Sequence, residues 1–136
     1  MAFTLTSQIS FIGTAADFGD ALSLVVSDSI GVKAPQAGAS KMVANANGGS
    51  KVSPDPTGNG NKYVYIKHTG KQDDGTTDTT NTLEIHIHDG SGTRDIGRLK
   101  SGEFLFIPIL SANKVELVSN DTHKIQFEYA YFTASS

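Results

Sequence analysis

The stretch from Leu83 to Leu110, LEIHIHDGSGTRDIGRLKSGEFLFIPIL, limits the possible folds more than any other part of the chain. Leu83, Ile85 and Ile87 alternate with Glu84, His86 and His88. That is the period-2 pattern of a strand with one buried face and one wet face. Asp89-Gly90 supplies turn chemistry after it, and the glycine-rich connection beyond has room for a short further strand. Phe104 to Ile107 is apolar at every position, so both faces of a strand there need cover. One face can meet the core. The other calls for a second sheet edge, a loop or another subunit.

The remaining segments follow the same grammar. Phe3, Leu5, Ile9 and Phe11 share one parity, opposite Thr4, Thr6, Gln8 and Ser10, and predict an opening strand. Gly13 to Gly19 breaks it, with Phe18 as an anchor. Ala21 to Val26 predicts a second strand, and Ile30 to Val32 the start of another after a turn at Asp28-Ser29. From Pro35 to Gly60, Gly48-Gly49, Pro54, Pro56, Gly58 and Gly60 are loop residues, interrupted by a short strand at Lys41-Met42-Val43. So long an excursion is either a mobile surface loop or an arm ordered by neighbouring subunits.

Tyr63 to Lys67 is rich in β-formers, and Gly70 to Asn81 is a polar hairpin-type loop. Val115 to Ser119 and Lys124 to Phe132 complete the strands, with Ile125, Phe127, Tyr129 and Tyr131 sharing a face of the last. No segment joins helix caps to an i, i+3, i+4 apolar stripe. About eight short strands separated by Gly, Asn and Asp turns predict an all-β sandwich or barrel. The expected organisation is one domain over 1–136, with an N-terminal strand or arm over 1–19 and an extended loop over 33–61.

Composition removes several functions. Arg94 and Arg98 are the only arginines, the lysines are scattered, and the net charge is -3, so a clustered phosphate-binding face is not expected. There is no cysteine, hence no disulfide and no thiolate chemistry. MAFTLTSQISF lacks a basic region followed by an apolar run, and no apolar run nears the length of a membrane span. Synthesis in a cytoplasm, with neither nucleic acid nor membrane as partner, is the expectation.

Four motifs bear on chemistry. His86-x-His88 places two imidazoles on one side of a strand, where a metal would need further ligands. Asp95, Glu103, His68 and His123 are the candidates for those. With the KSGEFLFIP segment after it, this HxH is similar to the cupin pattern, whose metal site adds a glutamate and a later histidine. Gly92 stands where that glutamate is expected, and no histidine follows Pro108 at short range. The two histidines therefore read as wet-face residues. Asp73-Asp74-Gly75 with Asp78 lacks the ligand spacing of a calcium loop and reads as a solvated turn. Gly90, Gly92 and Gly97 form no nucleotide-binding fingerprint, and no nucleophile elbow surrounds any serine. Tyr63, Tyr65, Tyr129 and Tyr131 pair at i, i+2, either as a carbohydrate platform or as core and cross-strand packing. No catalytic, metal or cofactor site is expected.

The succession YVYIKHTG, a polar loop, LEIHI, GRLKSGEFLFIPI, VELVSN and a closing IQFEYAYF resembles small virion structural proteins of tailed bacteriophages. The resemblance covers roughly residues 62–132. It implies a jelly-roll-like antiparallel β-sandwich with no enzymatic activity, acting as a capsid decoration (cement) protein that binds and stabilises the assembled shell. A tail or baseplate component is the neighbouring reading, and a cupin-like metal-binding protein or a carbohydrate-binding module are the readings from other classes. The implied partners are further copies of the chain, as a homotrimer, and the phage major capsid protein or other virion proteins. The implied location is the virion, assembled in the host cytoplasm. Candidate interface residues are Phe3, Leu5, Phe18, Met42, Val43, Leu105 and Phe106.

Overall fold

A computed structural model describes residues 2–14, 22–33, 38–45, 50–52, 62–110 and 112–133. These residues form strands and no helix: β1 (Ala2–Gly13), β2 (Leu22–Lys33), β3 (Gly38–Ala44), β4 (Ser50–Val52), β5 (Lys62–Gln72), β6 (Leu83–His88), β7 (Thr93–Leu99), β8 (Phe104–Ile109), β9 (Lys114–Ser119) and β10 (Ile125–Thr133). Phe18 lies outside the described residues.

Eight of the strands make two four-stranded antiparallel sheets, in the orders β3-β10-β5-β8 and β4-β9-β6-β7. The chain moves from one sheet to the other at nearly every step, which is the winding of two interleaved Greek keys. This is a jelly roll. β1 and β2 pair only with each other, as a separate two-stranded sheet.

Strand alternation delivers one face of each sheet to a shared interior. Val64 and Ile66 of β5, Leu83 and Ile85 of β6, Val115 and Leu117 of β9, and Ile125 and Phe127 of β10 are all buried. Ala44, Leu99 and Ile109 complete the cluster, and Ile87, Leu105, Ile107, Tyr129 and Tyr131 pack against it half-buried. Burying each large aliphatic or aromatic side chain is worth roughly 1.5–3 kcal/mol.

The all-apolar run in β8 is resolved within the chain. Leu105 and Ile107 join the core, while Phe106 lies half-buried on the outer side, stacked on Tyr63 with ring centroids 5.8 Å apart. Phe104 stands beside Tyr65 at 6.2 Å and keeps 58% of its surface exposed. Tyrosines of the neighbouring strand thus give the outward side part of its cover.

β5 carries the most specific local geometry. Its pairing with β10 shifts register between Gln126 and Phe127, so Thr69 and Gly70 form a bulge. Thr69 Oγ1 donates to Gln126 O at 2.7 Å, and Gly70 takes φ +77°. Just before the bulge, His68 is fully buried. Its Nδ1 accepts the Gly70 N–H at 2.9 Å, which leaves the ring proton on Nε2 to be donated to Asn81 O at 2.9 Å. The His68 backbone also exchanges hydrogen bonds with Gly102 and Glu103 in the β7–β8 turn. One buried ring and its backbone therefore tie β5 to two loops.

The structure departs from the sequence reading in three places. Within 33–61 the strand expected at Lys41-Met42-Val43 is the middle of β3, and β4 adds a strand that was not expected, so both sheets draw on this stretch. Residues 34–37, 46–49 and 53–61 lie outside the described residues. Asp28-Ser29 is no turn: β2 runs through it, with the Ser29 N–H donating to Asp28 Oδ1 at 2.8 Å. The Asx hydrogen bond is made while the backbone stays extended. β5 runs to Gln72, past the expected end at Lys67, because bulging at Gly70 lets the ladder continue.

Three aspartates fasten turns with their own carboxylates. Asp74 accepts the Thr77 hydroxyl and the backbone N–H groups of Thr77 and Thr76, which hold its pKa down at about 2. Asp89 accepts the Ser91 hydroxyl and N–H, the Gly92 N–H and Arg94 Nε, and is likewise held at about 2. Asp121 is lowered by the Thr122 N–H and hydroxyl.

Two expectations follow from these contacts. Folding lowers the Asp74 and Asp89 pKa values from 3.8 to about 2. Their contribution is therefore complete above the ordinary value and is lost as pH falls through the folded one. A double Asp74→Asn, Asp89→Asn variant should have a lower urea midpoint than wild type at pH 7, and that difference should shrink below about pH 4 and vanish only below about pH 2. A difference that persists at low pH would mean the carboxylate charge is not what matters. Gly70→Ala should cost about 1–2 kcal/mol in urea unfolding, the penalty for a side chain in the left-handed region. A Cβ there would also lie 2.3 Å from Ser101 Oγ, a hydroxyl that can swing aside. Adding Ser101→Ala should consequently restore little; full restoration would show that contact with Ser101, not backbone strain, sets the cost.

Candidate functional site

The β1–β2 ribbon is the most exposed apolar feature among the described residues. Its register is unbroken from Ala2↔Lys33 to Gly13↔Leu22, twelve paired residues in each strand. At about 3.4 Å per residue it extends roughly 40 Å. Directly opposed residues share a face, so Ile9 with Val26 and Phe11 with Leu24 lie together on one side. All four are exposed, Phe11 and Val26 by 54% each. Ser7 opposite Asp28 marks the end of this patch toward the ribbon's base. The other side presents Thr4, Thr6, Gln8 and Ser10, with Ile12 and Val25 near the tip. Asp28 and Lys33 are the only ionisable side chains in the two strands.

A second apolar surface lies on the outer side of the sheet containing β5 and β8. Tyr63, Tyr65, Phe104 and Phe106 form a two-by-two aromatic array there. Tyr129 and Tyr131 are not part of it. They stack on each other at 6.4 Å and pack against the core. The four tyrosines singled out by spacing are thus divided between two faces of one sheet.

His86 sits on the outer face of the other sheet. Its Nε2 is 3.0 Å from Asp95 Oδ1 and 3.6 Å from Glu84 Oε2, and Nδ1 is 4.0 Å from Glu116 Oε2. Arg98 in turn pairs with Glu84 at 2.9 Å. The alternation of β6 turns His86 and His88 away from the interior that Leu83 and Ile85 enter. His68 is the buried histidine, with both nitrogens bonded to backbone. Among the described residues no group of three or more His, Asp and Glu side chains is arranged to hold a metal ion. In the Gly70–Asn81 segment Asp78 pairs with Lys71 at 2.5 Å and Asp74 caps its own turn.

The candidate interface residues are placed as follows. Phe3 stands opposite Val32 and Leu5 opposite Ile30 in the ribbon register. Met42 and Val43 are in β3, opposite Phe127 and Gln126 of β10. Leu105 belongs to the core, so of the two β8 residues it is Phe106 that faces outward. Sequence reasoning did not name the tip residues Ile12, Leu24, Val25 and Val26 as interface candidates, and it marked Phe104 only as part of the apolar run Phe104 to Ile107. The alternation around Ile9 and Phe11 was visible. That β1 and β2 pair only with each other was not.

Histidine roles separate cleanly by mutation. His68→Leu leaves the Gly70 N–H and the Asn81 carbonyl without their partner and should cost roughly 2–4 kcal/mol in denaturant unfolding. The double His86→Gln, His88→Gln variant should cost about 1 kcal/mol or less, because Gln can keep a hydrogen bond to the carboxylates around the half-buried His86. A stoichiometric transition metal that is lost in the double variant would overturn this assignment.

No protein-family model matches the chain, and no curated protein does. Among solved structures, it is similar to the Schizosaccharomyces pombe Cnp3 cupin domain. That likeness has a TM-score of 0.44 and 11% identity, and covers 94% of this chain and 88% of that one. It is also similar to a chain described as an ethanolamine utilization protein q from Salmonella typhimurium LT2. There the TM-score is 0.35 with 15% identity, over 98% of this chain and 99% of that one. Both scores are low, and the jelly-roll assignment rests on the strand order of the chain itself.

Proposed function

We propose that the chain is a non-catalytic assembly protein, a jelly-roll body that attaches to a larger protein surface. The shell of a tailed bacteriophage is the surface its sequence resemblance suggests, and a tail or baseplate is the neighbouring choice. The observation that carries this reading is the ribbon. Its apolar side chains stay exposed along a long strand pair that offers no groups for chemistry. Jelly rolls serve capsids, lectins and cupins alike, so the fold alone does not select among them. A cupin-type metal site finds little support, since His86 and His88 face outward from the sheet.

One observation favours a second reading. The array of Tyr63, Tyr65, Phe104 and Phe106 is aromatic and partly exposed, which suits contact with sugar rings. The two readings part in one experiment. Purified chain should co-sediment saturably with source particles that lack it, and Phe104→Ala should leave retention on immobilised glycans at background, as in wild type. Absent particle binding, with glycan retention that Phe104→Ala abolishes, would replace the assembly reading by the carbohydrate one.

A further inference from the structure

Resting on the assembly reading, we infer that β1 pairs edge to edge with β1 of a second copy, antiparallel and in a register centred on Ser7. Among the described residues β1 pairs only with β2, and it is β2 that approaches the body, at β10. The other edge of β1 therefore presents backbone N–H and C=O groups along a strand of twelve residues. It has none of the devices that keep such an edge from pairing: no proline, no ionisable side chain and no break in register. A two-stranded ribbon is marginal in water on its own, and two ribbons joined this way make one four-stranded sheet.

The sequence of β1 selects the occupant. Read outward from Ser7, FTLTSQISF is a near-palindrome of polar and apolar positions: Thr6 answers Gln8, Leu5 answers Ile9, Thr4 answers Ser10 and Phe3 answers Phe11. Antiparallel pairing about a two-fold axis at Ser7 sets each of these opposite its counterpart in the other copy, apolar with apolar and polar with polar. A foreign strand makes no such demand, because it selects a pattern matching its own and not one symmetric about a single residue. β2 repeats the pattern around Asp28, the residue opposite Ser7, but pairing through β2 would set two carboxylates directly opposite each other. Pairing through β1 keeps the two Asp28 residues three strand spacings apart, roughly 14 Å. That exceeds the screening length of about 8 Å at physiological ionic strength.

Analytical ultracentrifugation of the full chain over a hundredfold range of concentration reads the association, and wild type should be dimeric. A double Thr6→Lys, Gln8→Lys variant sets lysine opposite lysine twice across the contact, while Ser29 and Ser27, opposite these positions in β2, are uncharged. It should associate at least tenfold more weakly, as should Thr6→Glu, Gln8→Glu, and an equimolar mixture of the two should dimerise again. Because the chain holds no cysteine, single cysteines report the register independently of charge. Ser7→Cys lies opposite itself and should give covalent dimers on mild oxidation. Ile9→Cys would lie roughly 14 Å from its own copy and should not, yet it should cross-link to Leu5→Cys when the two variants are mixed. A wild-type monomer at every concentration overturns the inference. So does a dimer that both charged variants leave intact, or one that Ser7→Cys and Ile9→Cys cross-link equally. A monomer that still co-sediments with source particles would refute this inference and leave the assembly reading standing. A dimer of the expected register that binds no particle would do the reverse.

Discussion

A single apolar layer, shared by two sheets that the chain visits in alternation, is the constraint on which the body of this protein depends. β5, β6, β9 and β10 each contribute alternate residues to that layer, and no neighbouring pair of strands could bury its share alone. Register is fixed by the same condition, because a one-residue slip would turn Val64 and Ile66 outward and bring Tyr63 and Tyr65 inside. Where the ladder must bend, at Thr69-Gly70, the extra residues are absorbed by a glycine with positive φ and a fully bonded histidine. A fully buried polar side chain thus holds loops together.

How much of this could be read beforehand depended on whether a segment's neighbours were written in its own period. β6, β9 and β10 alternate cleanly, and the sequence placed them and their buried faces. The antiparallel sandwich was legible for the same reason, through Gly, Asn and Asp turns between alternating runs. β4 was not, since Ser50-Lys51-Val52 is too short to show a period and owes its place to Glu116 and its neighbours in β9. The run Phe104–Ile107 was read as a face in search of a partner. Half of the answer lay in Tyr63 and Tyr65, forty residues earlier, whose position beside β8 is a matter of topology and not of local pattern. The ribbon was hidden similarly: both strands were visible, yet nothing local says that they avoid the sandwich sheets.

Edges show how the two parts of the molecule differ. β8 closes its sheet with Pro108, which has no N–H to offer a further strand. β7 closes the other with a register shift beside Ile85 and His86, and with Arg94, Asp95 and Arg98 along seven residues. Irregularity and charge of this kind discourage strand addition. β1 and β2 carry no proline and, outside Asp28 and Lys33, no charge. These two edges of the body are guarded against strand addition, and the ribbon's are not.

That contrast bears on function more directly than the fold does. A jelly roll says only that a compact scaffold has been built, and sites grafted on it decide its use. Here the outward side chains of the body are largely engaged with one another: His86 with three carboxylates, Glu84 with Arg98, and Tyr63 with Phe106. The ribbon's exposed side chains have no such local answers, because a strand pair offers each residue only its cross-strand neighbour and one flank. Apolar area left that way on a long, nearly uncharged projection would favour aggregation if it met any surface at random. A defined protein surface of matching shape converts the same area into specific contact, so the physical reason for the ribbon lies in assembly.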